Sequence, residues 1–179
     1  MARPTAVSIE YAVWRICKDR NIRIMIVSKT QGFARKNLYA IKKRLSDAGW
    51  YEASGYRNVL TEWGPFKPGQ NDRSTPWSAD LFYVQGIDSA EKDPTCEALG
   101  IGNQIYGART DLIILDDIAT ISNQQSEVER EKQLDWIVRE VMARLSEHGK
   151  LHLRNRRKSI RSSKTAGHTA PGTRTQAST

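Results

Sequence analysis

The sequence predicts an α/β fold built on a parallel sheet, and three observations predict it. Leu112-Ile113-Ile114-Leu115 is an unbroken apolar run with Arg109 and Asp111 before it and Asp116 and Asp117 after it. A short apolar run bounded by charges is the pattern of a strand buried on both faces of a parallel sheet. A second run, Ile22-Arg23-Ile24-Met25-Ile26-Val27, is also mostly apolar. Stretches of helical periodicity lie on either side of these runs, which is the order of a parallel sheet flanked by helices. In such sheets ligands bind beyond the carboxyl ends of the strands, so Asp116 and Asp117 stand where chemistry is expected.

Taken in order, Thr5 to Asp19 reads as a helix, with Val7, Ala12, Val13, Ile16 and Cys17 at helical spacing and Asn21 as its stop. The strand 22–27 follows. Gln31 to Asp47 is a second helix with Phe33, Leu38, Ile41 and Leu45 on one face. Lys42, Lys43 and Arg44 lie opposite, as a solvated surface. Residues 48–79 form a long, punctuated insertion, with Trp50, Tyr51, Tyr56, Trp63, Phe66 and Trp77 scattered among glycines and prolines and short strands expected near Val59-Leu60. Its aromatics, interleaved with Lys67 and Arg73, suit either base stacking or a satellite core under a long loop, and the satellite core is the commoner arrangement.

Asp80 to Gln85 is the next strand, Asp93-Pro94 a turn, and Thr95 to Leu99 a short helical turn. The glycines of 100–107 let the backbone turn before the strand that ends at Asp116; no helix follows them, so they are not a nucleotide fingerprint. Ser126 with Glu129 is a capping box opening a helix over 126–147. Val128, Leu134, Ile137, Val138, Val141, Met142 and Leu145 give it an apolar face, and it ends near His148-Gly149. Lys150 to Leu153 begins one more strand. From Arg154 to Thr179 the chain is rich in Ser, Thr, Arg and Gly, a composition that cannot bury enough surface to fold.

The totals fit one domain, 1–150, with a tail, 151–179. Cys17 and Cys96 are far apart and not in metal spacing, which suits a reduced, intracellular protein. Charges run through residues 1–20, so no signal peptide is visible, and no apolar run reaches membrane-span length. The net charge is +8. From Lys150 onward there are eight basic residues and no acid, which leaves 20 basic against 20 acidic residues in the body. The excess charge therefore sits in the tail, where Arg154, Arg156, Arg157 and Lys158 are the expected contacts to nucleic-acid phosphates.

Two acids after a strand commonly cap the next helix or turn. Four apolar residues followed by paired acids are also the Walker B pattern of P-loop NTPases. There the first carboxylate holds Mg²⁺, directly or through water, and the second polarises the water that attacks the γ-phosphate. Most such proteins place Glu second; this chain has Asp, one methylene shorter.

Three segments resemble the ATPase domain of the tailed-phage terminase large subunit, the DNA-packaging motor. They are Asn21 to Ser28 with the helix after it, Lys92-Asp93-Pro94-Thr95 through Gly107 to Asp117, and Ser126 to Trp136. Together they span roughly residues 5–150, and the segment ending in the acid pair is the most specific. The resemblance implies a P-loop NTPase-like (ASCE) parallel sheet with Mg²⁺ and ATP as cofactors. It assigns Asp116 to the metal and Asp117 to catalysis. Arg109 is a candidate charge sensor, although a surface arginine is the commoner case. It further implies double-stranded DNA, a portal protein and a terminase small subunit as partners, a homo-oligomeric motor, no membrane, and the bacterial host cytoplasm.

The departures from that family are specific. Where terminases carry a glycine-rich P-loop ending in Gly-Lys-Ser/Thr, this chain has Met1-Ala2-Arg3-Pro4-Thr5, with no nucleotide-binding glycine or lysine. After the helix that follows the acid pair there is no nuclease carboxylate cluster. The expected product is a terminase ATPase fragment that binds no cofactor tightly and does not turn over ATP alone. The alternatives are a non-catalytic nucleic-acid-binding or assembly module acting through the tail, and an inactive prophage remnant.

Overall fold

The computed structural model describes residues 4–46, 59–69, 72, 75–88, 92–105, 109–118 and 127–154. Helix α1 (Pro4–Lys18) buries Ile9, Ala12, Val13 and Ile16 along one stripe. Strand β1 (Ile24–Ser28) is buried at every position. Helix α2 (Gln31–Ser46) buries Ala34, Leu38, Ile41 and Leu45. Phe33, expected on that stripe, is 55% exposed. It lies one residue off the 34/38/41/45 spacing, about 100° around the helix.

A short helix α3 (Val59–Trp63) stands where the sequence suggested short strands. Strand β2 is only Leu81–Phe82, the start of the expected 80–85 strand. Strands β3 (Cys96–Gly100) and β4 (Thr110–Asp116) follow. Then come α4 (Glu127–Trp136), a π turn over Ile137–Val141, a 3₁₀ turn over Met142–Arg144, and β5 (Leu145–Arg154).

The five strands lie in the order β2-β3-β1-β4-β5. β3, β1, β4 and β5 run parallel, and β2 is an antiparallel edge. This is the expected mostly parallel sheet with helices beside it. β4 is interior, hydrogen-bonded on both sides, and β1 holds the middle position. Side chains divide by strand parity. Ile24, Ile26, Leu112 and Ile114 pack with α1 and α2 on one face. Met25, Val27, Ile113 and Leu115 pack with Trp136, Ile137 and Val141 on the other.

Two expectations are corrected here. The stretch 95–99 is strand rather than helical turn: Cys96, Ala98 and Gly100 are buried and alternate with the part-exposed Glu97 and Leu99. Ala and Glu are uncommon in strands, which hides this period of two. The helix expected over 126–147 gives way by 144, and Leu145 turns extended, with φ −66° and ψ 128°. His148-Gly149 therefore lies inside β5 instead of ending a helix. Long-range pairing of Leu112–Asp116 with Lys150–Arg154 wins over local helical pattern. The expected domain boundary at 150 falls within this strand, and Ser126 of the capping box lies outside the described residues.

Among the described insertion aromatics, Phe66 lies in the core shared with α1 and α2 and Trp77 packs against it, so they extend the main core and do not form the expected satellite. Phe66 is fully buried, and the Trp77 ring meets Phe82 at a tilt of 52°, with 4.7 Å between ring centroids. Arg20 anchors this segment by donating to the carbonyls of Pro65 (2.8 Å) and Gln85 (2.5 Å) while its guanidinium lies 4.6 Å over the Phe66 ring. Trp63 is exposed. Trp50, Tyr51, Tyr56 and Arg73 lie outside the described residues. On the basic face of α2, Lys42 Nζ donates to the carbonyls of Trp77 (3.1 Å) and Ser78 (2.8 Å), and Arg44 pairs with Glu10.

Candidate functional site

The chain leaves β1 through α2 on one face, toward β3, and leaves β4 through α4 on the other, toward β5. The strand order thus reverses between β1 and β4. Such a switch point opens a crevice at the carboxyl ends of the two strands. In this sheet those ends are Ser28 and Asp116, which are register partners.

Parity sends Ser28 and Asp116 to the α1/α2 side, because they continue the 24/26 and 112/114 rows. Asp116 is only 7% exposed. From β5, its register partner Arg154 closes a salt bridge from guanidinium Nη1 to Asp116 Oδ1, with side-chain exposures of 10% and 9%. From α2, Asn37 Nδ2 donates to Asp116 Oδ2 at 2.6 Å. Ser28 Oγ beside them is fully buried and has no hydrogen-bond partner among the described residues. His152, two residues before Arg154 on the same side of β5, brings Nε2 to 3.3 Å from Ser8 Oγ of α1. Its ring centroid is 5.8 Å from that of Tyr11.

Asp117 is different. Its φ of 53° puts it in the left-handed region, where Asp is among the few residues tolerated. It leaves the strand and is partly exposed, and its backbone N–H donates to the Arg154 carbonyl at 3.1 Å. The two acids therefore have separate environments, Asp116 inside and charge-paired, Asp117 at the rim.

Arg109 does not join them. It precedes the amino end of β4, where its N–H donates to Asp93 Oδ2 at 3.1 Å. Eight residue steps along the strand, at about 3.3 Å each, put it roughly 25 Å from Asp117. Its neighbours belong to a separate network. Arg23 donates to both Asp111 oxygens, from Nε at 2.9 Å and Nη2 at 2.8 Å, and Ser146 adds a bond of 2.8 Å. Burial pushes the Asp111 carboxyl up, but these hydrogen bonds outweigh it and hold it below the usual range.

Arg154, grouped with the basic tail by sequence, is the last residue of β5, and its guanidinium is turned inward to Asp116. Arg156, Arg157 and Lys158 lie outside the described residues. Asn37, Ser28 and the inward role of Arg154 are absent from the sequence reading. Asn37 left one trace, a polar residue beside the apolar spacing of Ala34, Leu38 and Ile41.

The residues of this crevice do not fit a magnesium ion in the arrangement seen. A hard divalent cation needs carboxylate oxygens free to turn toward it. Here Asp116 Oδ1 meets a guanidinium and Oδ2 meets the Asn37 amide. Among the described residues no group of three or more His, Cys, Asp or Glu converges on one point. Nor is any described helix long and apolar enough to cross a membrane.

No family profile matches the chain. It is similar to the terminase large subunit of Enterobacteria phage T3, at 28% identity over 126 residues. That match covers 70% of this chain and 19% of the phage protein, so the chain spans about a fifth of its relative's length. The likeness supports a distant, terminase-like relationship.

Proposed function

We propose that this chain is part of a terminase-like ATPase domain that serves the packaging of phage DNA. The observation that carries the reading is the acid pair at the carboxyl end of β4, at the sheet's switch point, in a chain similar to a terminase large subunit. Asp117, partly exposed at the rim of the crevice, is the residue assigned to the attacking water. Asp116 is the acid that the resemblance assigns to the cation. Duplex DNA, a portal protein and a terminase small subunit are the partners this reading implies.

Phosphoryl transfer depends on positioning and on neutralising the phosphates. Residues 1–8 contain no glycine and no lysine to do either. The chain alone is therefore expected to hydrolyse no ATP, with or without duplex DNA. The test is a fusion that places a glycine-rich phosphate-binding strand and loop ahead of Thr5. Turnover that disappears with Asp117→Ala supports the reading. A folded fusion without turnover, both as it stands and with Arg154→Gln added to free Asp116 of its counter-charge, overturns it, and so does turnover by the chain alone that Asp117→Ala leaves intact. The charge excess of residues 150–179 favours a second reading, a non-catalytic nucleic-acid-binding or assembly module.

A further inference from the structure

The charge lock on Asp116 is the feature that neither the terminase likeness nor the acid-pair pattern accounts for. Asp116 lies within the sheet, almost without solvent, and a lone buried carboxylate is strongly disfavoured. Two groups from different elements satisfy it: Arg154 at the end of β5 on one oxygen, and Asn37 of α2 on the other, at 2.6 Å. Neither arrives by accident of a flexible surface. Arg154 is fixed by the β4–β5 ladder, in which it is the register partner of Asp116, and its carbonyl receives the Asp117 N–H. Asn37 is fixed by the stripe that buries Ala34, Leu38 and Ile41.

We propose that Arg154 is the resident cation of the acid pair, and that in this conformation it excludes divalent metal from Asp116. A metal ion entering the crevice would meet a like charge on Arg154 and a carboxylate whose oxygens are both engaged. At a few ångströms in a partly buried setting that repulsion is several-fold larger than the same pair in water. For Asp116 to take a cation, Arg154 has to swing away, and something else then has to receive its charge. The unpartnered Ser28 hydroxyl, across Asp116 on β1, cannot do so, because it is neutral. The proposal rests on the terminase-like reading only for its meaning; metal uptake is measured without hydrolysis, so the failure of either is told apart from the failure of the other.

The probe is Mn²⁺, added to the full ¹⁵N-labelled chain, with paramagnetic broadening of amide signals as the readout. The parent chain is expected to show no broadening centred on residues 28, 37, 116 and 117. Arg154→Gln, which keeps size and hydrogen-bonding capacity but removes the charge, is expected to show it, with affinity raised about tenfold or more. Asp116→Asn in that background should abolish it, and Arg154→Lys, which keeps the charge, should exclude Mn²⁺ as the parent does. Localised broadening in the parent that Asp116→Asn removes overturns the proposal. So does a folded Arg154→Gln chain that takes up no metal at these residues. If Arg154→Gln does not fold, which the amide spectrum reports, the parent, Arg154→Lys and Arg154→Met decide. Localised uptake by the parent or Arg154→Lys overturns the lock; exclusion by both together with uptake by a folded Arg154→Met chain upholds it, and a folded Arg154→Met chain without uptake overturns it.

Discussion

At the scale of single residues, the two buried charges make opposite demands on stability. Asp116 and Arg154 are each about 10% exposed and satisfy one another. Removing one partner leaves the other charge buried and alone, which costs about 3–5 kcal/mol. Arg154→Ala is therefore expected to lower unfolding free energy by about 3 kcal/mol in urea denaturation, whereas Asp116→Asn combined with Arg154→Met should cost clearly less than that. Equal losses for single and double variants would show the pair to be energetically silent. Glu97 is the reverse case, an acid left without an adequate partner. Burial in β3, and then the Asp93 charge, raise its carboxyl from 4.5 to about 7, with Arg144 offsetting part of the shift. A raised acid favours the folded state when protonated, so its contribution is full below about pH 4.5 and is lost as pH rises through about 7. Glu97→Gln should then match the parent near pH 4 and exceed it by on the order of 3 kcal/mol at pH 8, from about 1.4 kcal/mol for each unit of pKa difference. A stability gap that does not change with pH would count against this account.

At the scale of elements, burial separates runs of similar composition that serve different ends. Ile113 is fully buried between the sheet and the π turn, while Leu134 of α4 is 62% exposed. Ile113→Ala is expected to cost about 2–5 kcal/mol. Leu134→Ala should stay within about 0.5 kcal/mol. Thermal or urea unfolding of the two variants checks the contrast, and a comparable loss for both would mean that the α4 stripe is packed in solution. The same contrast explains what could be read from sequence. β1 and β4 were legible because Ile, Leu and Val crowd into short runs and are buried on both faces. α1 and α2 were legible from their apolar stripes, with Phe33 the exception. β3 was not, because Cys-Glu-Ala-Leu-Gly carries little strand propensity and is extended by its neighbours β1 and β2. The first half of β5 was not, because Leu145 to Gly149 continues a helical pattern and ends in a helix-stopping glycine. In the site, the acids stood out at the end of an apolar run. Arg154 did not, because its place beside Asp116 comes from a ladder joining residues 38 apart in sequence.

At the scale of the whole molecule, the last described strand crosses the point at which the sequence reading divides body from tail. The sequence alone set the boundary at 150, but β5 continues to Arg154, and Arg154 is committed to Asp116. A chain cut after Gly149 would lose half of an edge strand and the counter-charge of a buried acid, so its behaviour would report on folding rather than on DNA. The informative cut is after Arg154. It keeps all five described strands and removes Arg156, Arg157, Lys158, Arg161, Lys164 and Arg174 in a stretch without acids. Each phosphate neutralised releases counterions, so log K falls against log salt by about 0.9 per contact, or about −5 if all six engage. Nothing in the segment's composition equips it to read base edges, so the binding should show no sequence preference. The full chain is therefore expected to bind duplex DNA weakly with that slope, and the chain ending at Arg154 to lose both the affinity and the salt dependence. Titration of labelled duplex at several salt concentrations measures both quantities at once. If the shortened chain, still cooperatively folded, binds with unchanged affinity and slope, the contact surface lies in the body. The first place to look would then be the groove where Lys36 and the exposed Tyr39 of α2 face Trp77 and Ser78. An aromatic beside a lysine can take a base and its phosphate together.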